Sequence, residues 1–243
     1  GFNMTCYEEK ALNELENWQN RMSKKPLFSG KIISGLQARA NKLIPEKVHT
    51  AITAIIKNMV KAILFGSEIV SSPPLYSATL EEREKLVNDK KNFYKKAAAA
   101  SGAWTGAGGF LLGMADFPIL IGLKFKFLFD TASIYGFDTS DYRERLYILY
   151  IFQLAFSDKM RSRVIYNQIA NWQSYVKELP EDINSFDWRT FQQQYRDYID
   201  LAKMLQMVPG IGAVVGAYAN YKLLDKLGET AVYAYRLRLL KPG

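Results

Sequence analysis

Two glycine-rich apolar segments constrain the fold of this chain more than any other feature. Residues 101–123 read SGAWTGAGGFLLGMADFPILIGL, and residues 207–226 read MVPGIGAVVGAYANYKLLDK. Their glycines recur mostly every three or four residues, a spacing that places them along one side of a helix. Helix backbones can approach closely at such a strip, because glycine has no Cβ. We therefore predict two glycine-rich helices, near 101–114 and 209–226, that pack together at the centre of the protein.

The rest of the chain also has helical periodicity. In the stretch NKLIPEKVHTAITAIIKNMVKAILF, residues 41–65, one face is apolar (Val48, Ile52, Ile55, Met59, Ile63) and the other is cationic (Lys47, Lys57, Lys61). The sequence TLEE at 79–82 is a capping box and predicts a helix that continues through the alanines at 97–100. These patterns predict an all-α multi-helix bundle.

Several residues predict where the helices begin and end. Asp116, two residues before Pro118, is expected to cap a new helix whose first turn holds the proline. Gly136 is a suitable residue to end that helix. Thr139 or Ser140 is expected to open the following helix, and Pro209 the last one.

The chain is divided into three parts. Residues 1–3 precede Met4 and are interpreted as a cloning remnant. Residues 4–70 are predicted to form an amphipathic basic helical arm packed on the outside of a helical core at 79–240. Within the arm, residues 21–62 contain nine Lys and Arg and a single acid, so this stretch alone carries a charge of +8, equal to the net charge of the whole chain. Such a patch indicates an anionic partner.

Composition excludes several classes of chemistry. With one cysteine (Cys6) and one histidine (His49), the chain cannot form an internal disulfide, and a zinc site or a His-activated nucleophile is not expected. No phosphate loop, calcium loop or dinucleotide fingerprint is present. We therefore expect no cofactor and no metal, and no helix-turn-helix or stacking sheet favours nucleic acid.

Residues 104–123 are long enough to span a bilayer. Asp116 and Pro118 lie near the middle of this window, however, and Lys124 and Lys126 follow it closely. A central Asp costs about 2.5–3.5 kcal/mol on insertion scales. A buried helix pair in a surface-bound domain is the better interpretation.

Five residues are candidate binding or catalytic groups, each with a structural alternative. Asp116 is either a helix cap or a buried acid facing a pocket, and Asn220 bonds either a ligand or a backbone carbonyl. Lys124 either receives an anionic group or extends to the surface. Arg236 and Arg238 either oppose the helix dipole in solvent, or bind an anion, with Arg236 reaching back to Asp116.

The basic arm supplies a second candidate site, at a membrane surface. Its members are Lys24, Lys25, Lys31, Arg39, Lys42, Lys47, Lys57 and Lys61. A solvated basic face without a partner is the structural alternative.

Three stretches together resemble the characteristic motifs of the EcsC family. They are GAWTGAGGFLLGMADFPILI, ASIYGFD and VPGIGAVVGAYANYKLLDKLGETAVYAYRLRLL, and the resemblance covers roughly residues 94–240. It implies a bacterial, mainly helical protein without an established catalytic activity or active site. It also implies a link to an ABC-type exporter system.

Three functions are compatible with these features. The first is a cytoplasmic accessory protein at the inner face of the cell membrane. Its arm would bind anionic lipid, with the apolar face of 48–64 entering the interface, and its core would hold a lipid or small anion or dock on ABC transporter subunits. The second is an enzyme for an amphiphilic or phosphorylated substrate, with Asp116 as acid/base and Lys124 or Arg236 as anion clamp. The third is an interaction protein whose glycine strip meets a partner.

Overall fold

A computed structural model describes residues 3–25, 42–66, 72–106, 110–205 and 213–242, except for the side chains of 101–117, 202, 205 and 213–220. Across these ranges the regular structure is helical and includes no strand, which confirms the all-α bundle. The elements in chain order are α1 (Cys6–Ser23), α2 (Glu46–Phe65), α3 (Leu80–Gly106), α4 (Phe110–Ile134), α5 (Tyr142–Ala155), α6 (Lys159–Ala170), α7 (Trp172–Val176), a 3-10 turn (Ile183–Ser185), α8 (Trp188–Asp197), α9 (Leu201–Leu205) and α10 (Ala213–Leu240).

Capping boxes fix the starts of two helices. The predicted one is confirmed: the Glu82 amide donates to Thr79 Oγ1 (3.2 Å), and the Thr79 amide donates to Glu82 Oε2 (2.8 Å). The helix it starts runs through the alanines to Gly106. Thr5 and Glu8 form a second box at α1 that the sequence analysis did not identify. Each box satisfies amides that would otherwise lack partners at a helix start.

The prediction that Asp116 caps a new helix is wrong, because α4 begins at Phe110 and passes through both Asp116 and Pro118. A proline inside a helix removes one intrahelical hydrogen bond and crowds the carbonyl four residues earlier, at a cost of about 3 kcal/mol, but its fixed φ is itself helical. The bonds before and after it keep the helix continuous. The side chain of Asp116 lies outside the described part of the chain.

Gly136 ends α4 as predicted. Its φ is +92°, a conformation that favours glycine, and its amide donates to Ser133 O (3.0 Å). Asp141, next to the predicted Ser140, is the residue that caps α5, by accepting from the Arg143 amide at 2.9 Å. The start of the last helix near Pro209 lies outside the described residues.

Among the described helices, α3 and α10 form the most extensive pair, and they run antiparallel. Glu84 bonds Arg236 near one end, and Lys95 pairs with Asp225 (2.8 Å) further along. Because Glu84 pairs with Arg236 and Lys95 pairs with Asp225, the same antiparallel register places residues 101–106 beside residues 213–220. The glycine-containing end of α3 therefore lies beside the start of α10. The backbones thus agree with the predicted pairing of the glycine-rich segments, although Gly109 lies outside the described residues.

The core lies where α4, α5 and α10 meet, and it is rich in aromatic rings. Tyr135 and Tyr235 are stacked with centroids 5.1 Å apart, and Tyr147 contacts both Tyr235 and Trp172. All four side chains are buried. Rings of this size bury large apolar areas, so this cluster stabilises the arrangement of the helices around it.

Candidate functional site

Arg236, a predicted site residue, lies at the junction of three helices. Its guanidinium donates from Nε to Glu84 Oε1 (2.7 Å), from Nη2 to Glu84 Oε2 (2.6 Å) and from Nη1 to Glu14 Oε2 (2.8 Å). Tyr7 donates to Glu84 Oε2 at 3.0 Å. We call Tyr7, Glu14, Glu84 and Arg236 the Arg236 cluster. It ties α1 and α3 to α10 through charge-assisted hydrogen bonds.

This arrangement corrects the prediction that Arg236 ends in solvent and gives its guanidinium partners other than Asp116, while anion binding by Arg236 stays a prediction. The side chain is buried, so it does not end in solvent, and its partners are Glu84 and Glu14 instead of Asp116. An arginine at this position of an isolated helix would extend into water. Here α1 and α3 cover it, and only paired carboxylates make such burial tolerable.

The electrostatics of the Arg236 cluster keep Arg236 charged and Tyr7 neutral. Burial opposes the Arg236 charge, but the hydrogen bonds to Glu84 and Glu14 outweigh it and raise its pKa above the ordinary value. Burial, reinforced by Glu84, raises the pKa of Tyr7 to about 12. Neither group exchanges a proton near neutral pH, so neither is suited to general acid–base chemistry.

A cleft of about 360 Å³ adjoins the Arg236 cluster. It is lined by Tyr7, Glu14, Glu84, Val87, Asn88, Lys91, Gly228, Glu229, Val232, Tyr233 and Arg236. Three of its side chains are carboxylates, and Arg236 already bonds two of them.

Lys124 does not line this cleft, although the enzyme hypothesis requires it to converge there with Arg236. Its side chain is fully buried in α4, so it does not extend to the surface. Burial lowers the pKa of its ammonium to about 7. Anion binding by Lys124 stays a prediction.

Arg238 is also held by an acid. It forms a two-pronged ion pair with Glu144 of α5, with Nη2 to Oε1 at 2.8 Å, and its guanidinium lies over the Phe137 ring (3.9 Å). The predicted solvent-exposed dipole role is wrong for this residue. Anion binding by Arg238 and ligand binding by Asn220 remain predictions, the Asn220 side chain lying outside the described part.

The two faces of α2 have different surroundings. Its apolar face packs on α5 and α8, with buried residues Val48, Ile52, Ile56, Met59, Val60, Ile63 and Leu64. Arg145 of α5 donates to the carbonyls of Ile63 (2.8 Å) and Leu64 (2.7 Å) at the end of α2. Since this face is part of the protein interior, the prediction that it enters a membrane interface is wrong.

The opposite side of α2 is exposed, as the sequence predicts. Lys47, Lys57 and Lys61 lie on it, and we call them the basic face of α2. Lys24, Lys25 and Lys42 are also exposed, whereas Lys31 and Arg39 lie outside the described residues. In the structure, α2 thus has a buried apolar face and an exposed cationic face.

Among the described helices, one is long and apolar enough to cross a membrane by length and composition alone. It is α2, and core helices of globular proteins meet the same criterion. No group of three His, Cys, Asp or Glu that could hold a metal occurs in the described part of the chain.

Sequence reasoning missed the partners of the two arginines. Glu144 lies in the first turn of α5, and Glu84 follows the first turn of α3, so both are near helix starts, where acids are expected simply because they favour the helix dipole. The chain offers no local signal that these acids bond residues of α10.

The fold and these clusters define a helical-bundle protein in which ion pairs tie the last helix to the others. The chain belongs to the EcsC protein family, whose sequence profile matches residues 9–240. It is 44% identical over 231 residues to Protein EcsC of Bacillus subtilis (strain 168), covering 95% of each chain. It is 26% identical over 252 residues to the Uncharacterized protein YdbA of the same organism, covering 94% of this chain and 91% of the relative. No solved structure matches it.

Proposed function

We propose that this protein is a membrane-associated accessory protein that binds anionic lipid surfaces through the basic face of α2. The observation that carries the proposal is the fixed orientation of that helix. Its apolar residues and its last carbonyls are held by α5 and α8, so Lys47, Lys57 and Lys61 point outward together. A rigid row of cations suits a flat anionic surface, because binding then orders few additional groups.

The expected affinity of the basic face of α2 for an anionic membrane is moderate. Each cation near an anionic membrane contributes about 1 kcal/mol, so the three lysines give about 3 kcal/mol. At the end of α2, Lys61 lies over the Trp188 ring (5.6 Å), and the partly exposed Phe65 packs on the same ring (6.0 Å). Tryptophan favours the membrane–water interface, so this aromatic pair supports the same orientation.

The cellular role that we propose is to serve an ABC-type exporter at the inner face of the cell membrane. This part rests on membership of the EcsC family and on the exporter setting that the family motifs imply. Transporter subunits are then the protein partners. No described observation favours an enzyme, because Lys124 and Arg236 do not line a common cleft.

Flotation of the purified protein with vesicles tests the lipid proposal. We expect recovery with phosphatidylglycerol vesicles in the floating fraction, little recovery with phosphatidylcholine vesicles, and loss of binding as salt increases. Equal flotation with both lipids, or none with either, would overturn it. Co-expression with the exporter subunits and affinity purification tests the second part, since a true partner must be retained after detergent extraction.

A further inference from the structure

Three long helices change from charged to uncharged at corresponding positions. In α3 the last charged residues are Lys95 and Lys96, and 97–106 contain none. In α10 the first charged residue is Lys222, and 213–221 contain none. In α4 the residues 110–123 hold one ionisable group, Asp116, before Lys124 and Lys126.

Contacts place these transitions at one level of the bundle. Lys95 Nζ lies 2.8 Å from Asp225 of α10 and 3.7 Å from the ring centre of Tyr221. On the other side of α3, Tyr94 donates to Asp130 of α4 at 2.7 Å. The exposed lysines of the three helices therefore form a collar around the bundle, made of Lys90, Lys96, Lys126, Lys222 and Lys226. Lys95 and Lys124 lie at the same level but are buried. Two acids, Asp130 and Asp225, lie among them.

Part of the uncharged end is open to solvent. Ile119 of α4 is 58% exposed and Tyr221 of α10 is 41% exposed. Pro118 and Gly122 are exposed as well, while Lys96, Lys126 and Lys226 are exposed in the collar. An apolar surface bordered by cations on three helices matches the hydrocarbon and phosphate layers of an anionic bilayer.

We propose that the uncharged end of the bundle, residues 97–106, 110–123 and 213–221, inserts into one leaflet of an anionic membrane, with the lysine collar at the lipid phosphates. This inference rests on the proposed membrane function and adds a second, deeper contact to the basic face of α2. A collar shared by three helices fits a continuous plane of negative charge better than a discrete acidic patch on a protein.

Helix geometry limits the depth. Ten residues of α3 beyond Lys96 rise about 15 Å at 1.5 Å per residue. The hydrocarbon core of a bilayer is about 30 Å thick. The uncharged end is therefore long enough for one leaflet and too short to cross both.

Depth-dependent fluorescence tests this placement. In a Cys6→Ser background, bimane is attached at Ile119→Cys in the uncharged end. The matched control is Leu86→Cys on α3, which is 43% exposed and lies about 15 Å from Lys96 on the side away from that end. With phosphatidylglycerol vesicles carrying brominated acyl chains, we expect at least two-fold quenching at position 119 and none at position 86.

The outcomes separate the two proposals. If the protein floats with vesicles but the label at position 119 is not quenched, binding through the basic face of α2 is supported and insertion is overturned. Protein that fails to float overturns both. If the label at position 119 is shielded from solvent without lipid, and light scattering gives a doubled mass, then this end of the bundle binds a second copy of the chain. That result also overturns insertion.

Substitutions give an independent measurement. Ile119→Asp is expected to lower the vesicle partition coefficient roughly ten-fold, and Leu86→Asp to leave it unchanged, because only position 119 would enter hydrocarbon. Asp116→Asn is expected to raise it, since it removes the one ionisable group beyond the collar. Equal effects at 119 and 86 would count against insertion, and circular dichroism checks that each variant is folded.

Discussion

Arg236 and Glu84, 152 residues apart, are joined side by side by two hydrogen bonds of 2.7 and 2.6 Å. Both side chains are less than a tenth exposed. Such a pair fixes the relative rotation and register of α3 and α10, because a shift of either helix would separate the two charges in a poorly solvated place. The antiparallel packing of α3 on α10 therefore depends on this ion pair.

Glu84→Gln is expected to destabilise the protein by about 3–5 kcal/mol, because it leaves the buried Arg236 charge without its main partner. Glu14 bonds the same guanidinium but is 41% exposed, so Glu14→Gln is expected to cost less than about 1 kcal/mol. Urea unfolding of the two variants measures the difference. Equal losses would mean that burial does not determine the strength of these pairs.

Stability is expected to rise with pH between about 7 and 9.5 because of Lys124. Burial lowers its pKa from 10.5 to about 7 in the folded protein. Between these values the unfolded chain binds one more proton than the folded one, so the free energy of unfolding increases by about 1.4 kcal/mol per pH unit. Below pH 7 both states are protonated and this contribution is constant.

Lys124→Met removes that slope and is expected to stabilise the protein at pH 7. The control is Lys126→Met, two residues away and exposed, which should keep the slope. Urea titrations at pH 7.0, 8.0 and 9.0 provide the comparison. If the Lys124→Met protein retains the full pH dependence, another group is responsible.

Two glycines of the α4 region are expected to respond to alanine with opposite signs. A Cβ at Gly122 would meet no atom within 4 Å, so Gly122→Ala should stabilise the exposed helix by about 1 kcal/mol. Gly136 has a φ of +92°, and a Cβ there would lie 3.1 Å from Leu75 O. Gly136→Ala should therefore destabilise by about 1–3 kcal/mol, and thermal melts of both variants test the pair.

Gly216→Ala is expected to destabilise by about 1–3 kcal/mol, because the register of α3 and α10 places it beside the glycine-containing end of α3. Gly109→Ala is expected to act in the same way from sequence spacing. Gly122→Ala is the internal control for helix propensity. If Gly216→Ala raises the melting temperature as much as Gly122→Ala does, the two backbones are not in close contact there.

Charge reversal of the basic face of α2 is expected to weaken flotation with anionic vesicles strongly, because it removes the surface contact and adds three negative charges. The variant is Lys47→Glu, Lys57→Glu and Lys61→Glu, and its matched control changes three other exposed lysines, Lys85, Lys96 and Lys177, to Glu. Lys96 belongs to the collar, so the control should bind somewhat less tightly than wild type but far more tightly than the α2 variant. Indistinguishable losses would attribute binding to net charge alone.

The helices themselves could largely be predicted from the sequence. The alternation of apolar and cationic residues in α2, the capping box at Thr79 and the stop at Gly136 all act within a few residues, so local physical chemistry is sufficient to define them. Pro118 is the exception, because tertiary context can override the local preference of proline against a helix interior.

The partners of the ionic groups could not be predicted in this way. Nothing near Arg236 in the chain indicates Glu84 or Glu14, and nothing in α2 shows that its apolar face packs on α5 and α8 instead of on lipid. An amphipathic pattern indicates that one face of a helix is buried away from water. A charged residue indicates that its side chain needs either a counter-charge or solvent. Which surface covers the face, and which acid reaches the charge, depends on segments distant in sequence, and only the tertiary structure brings those together.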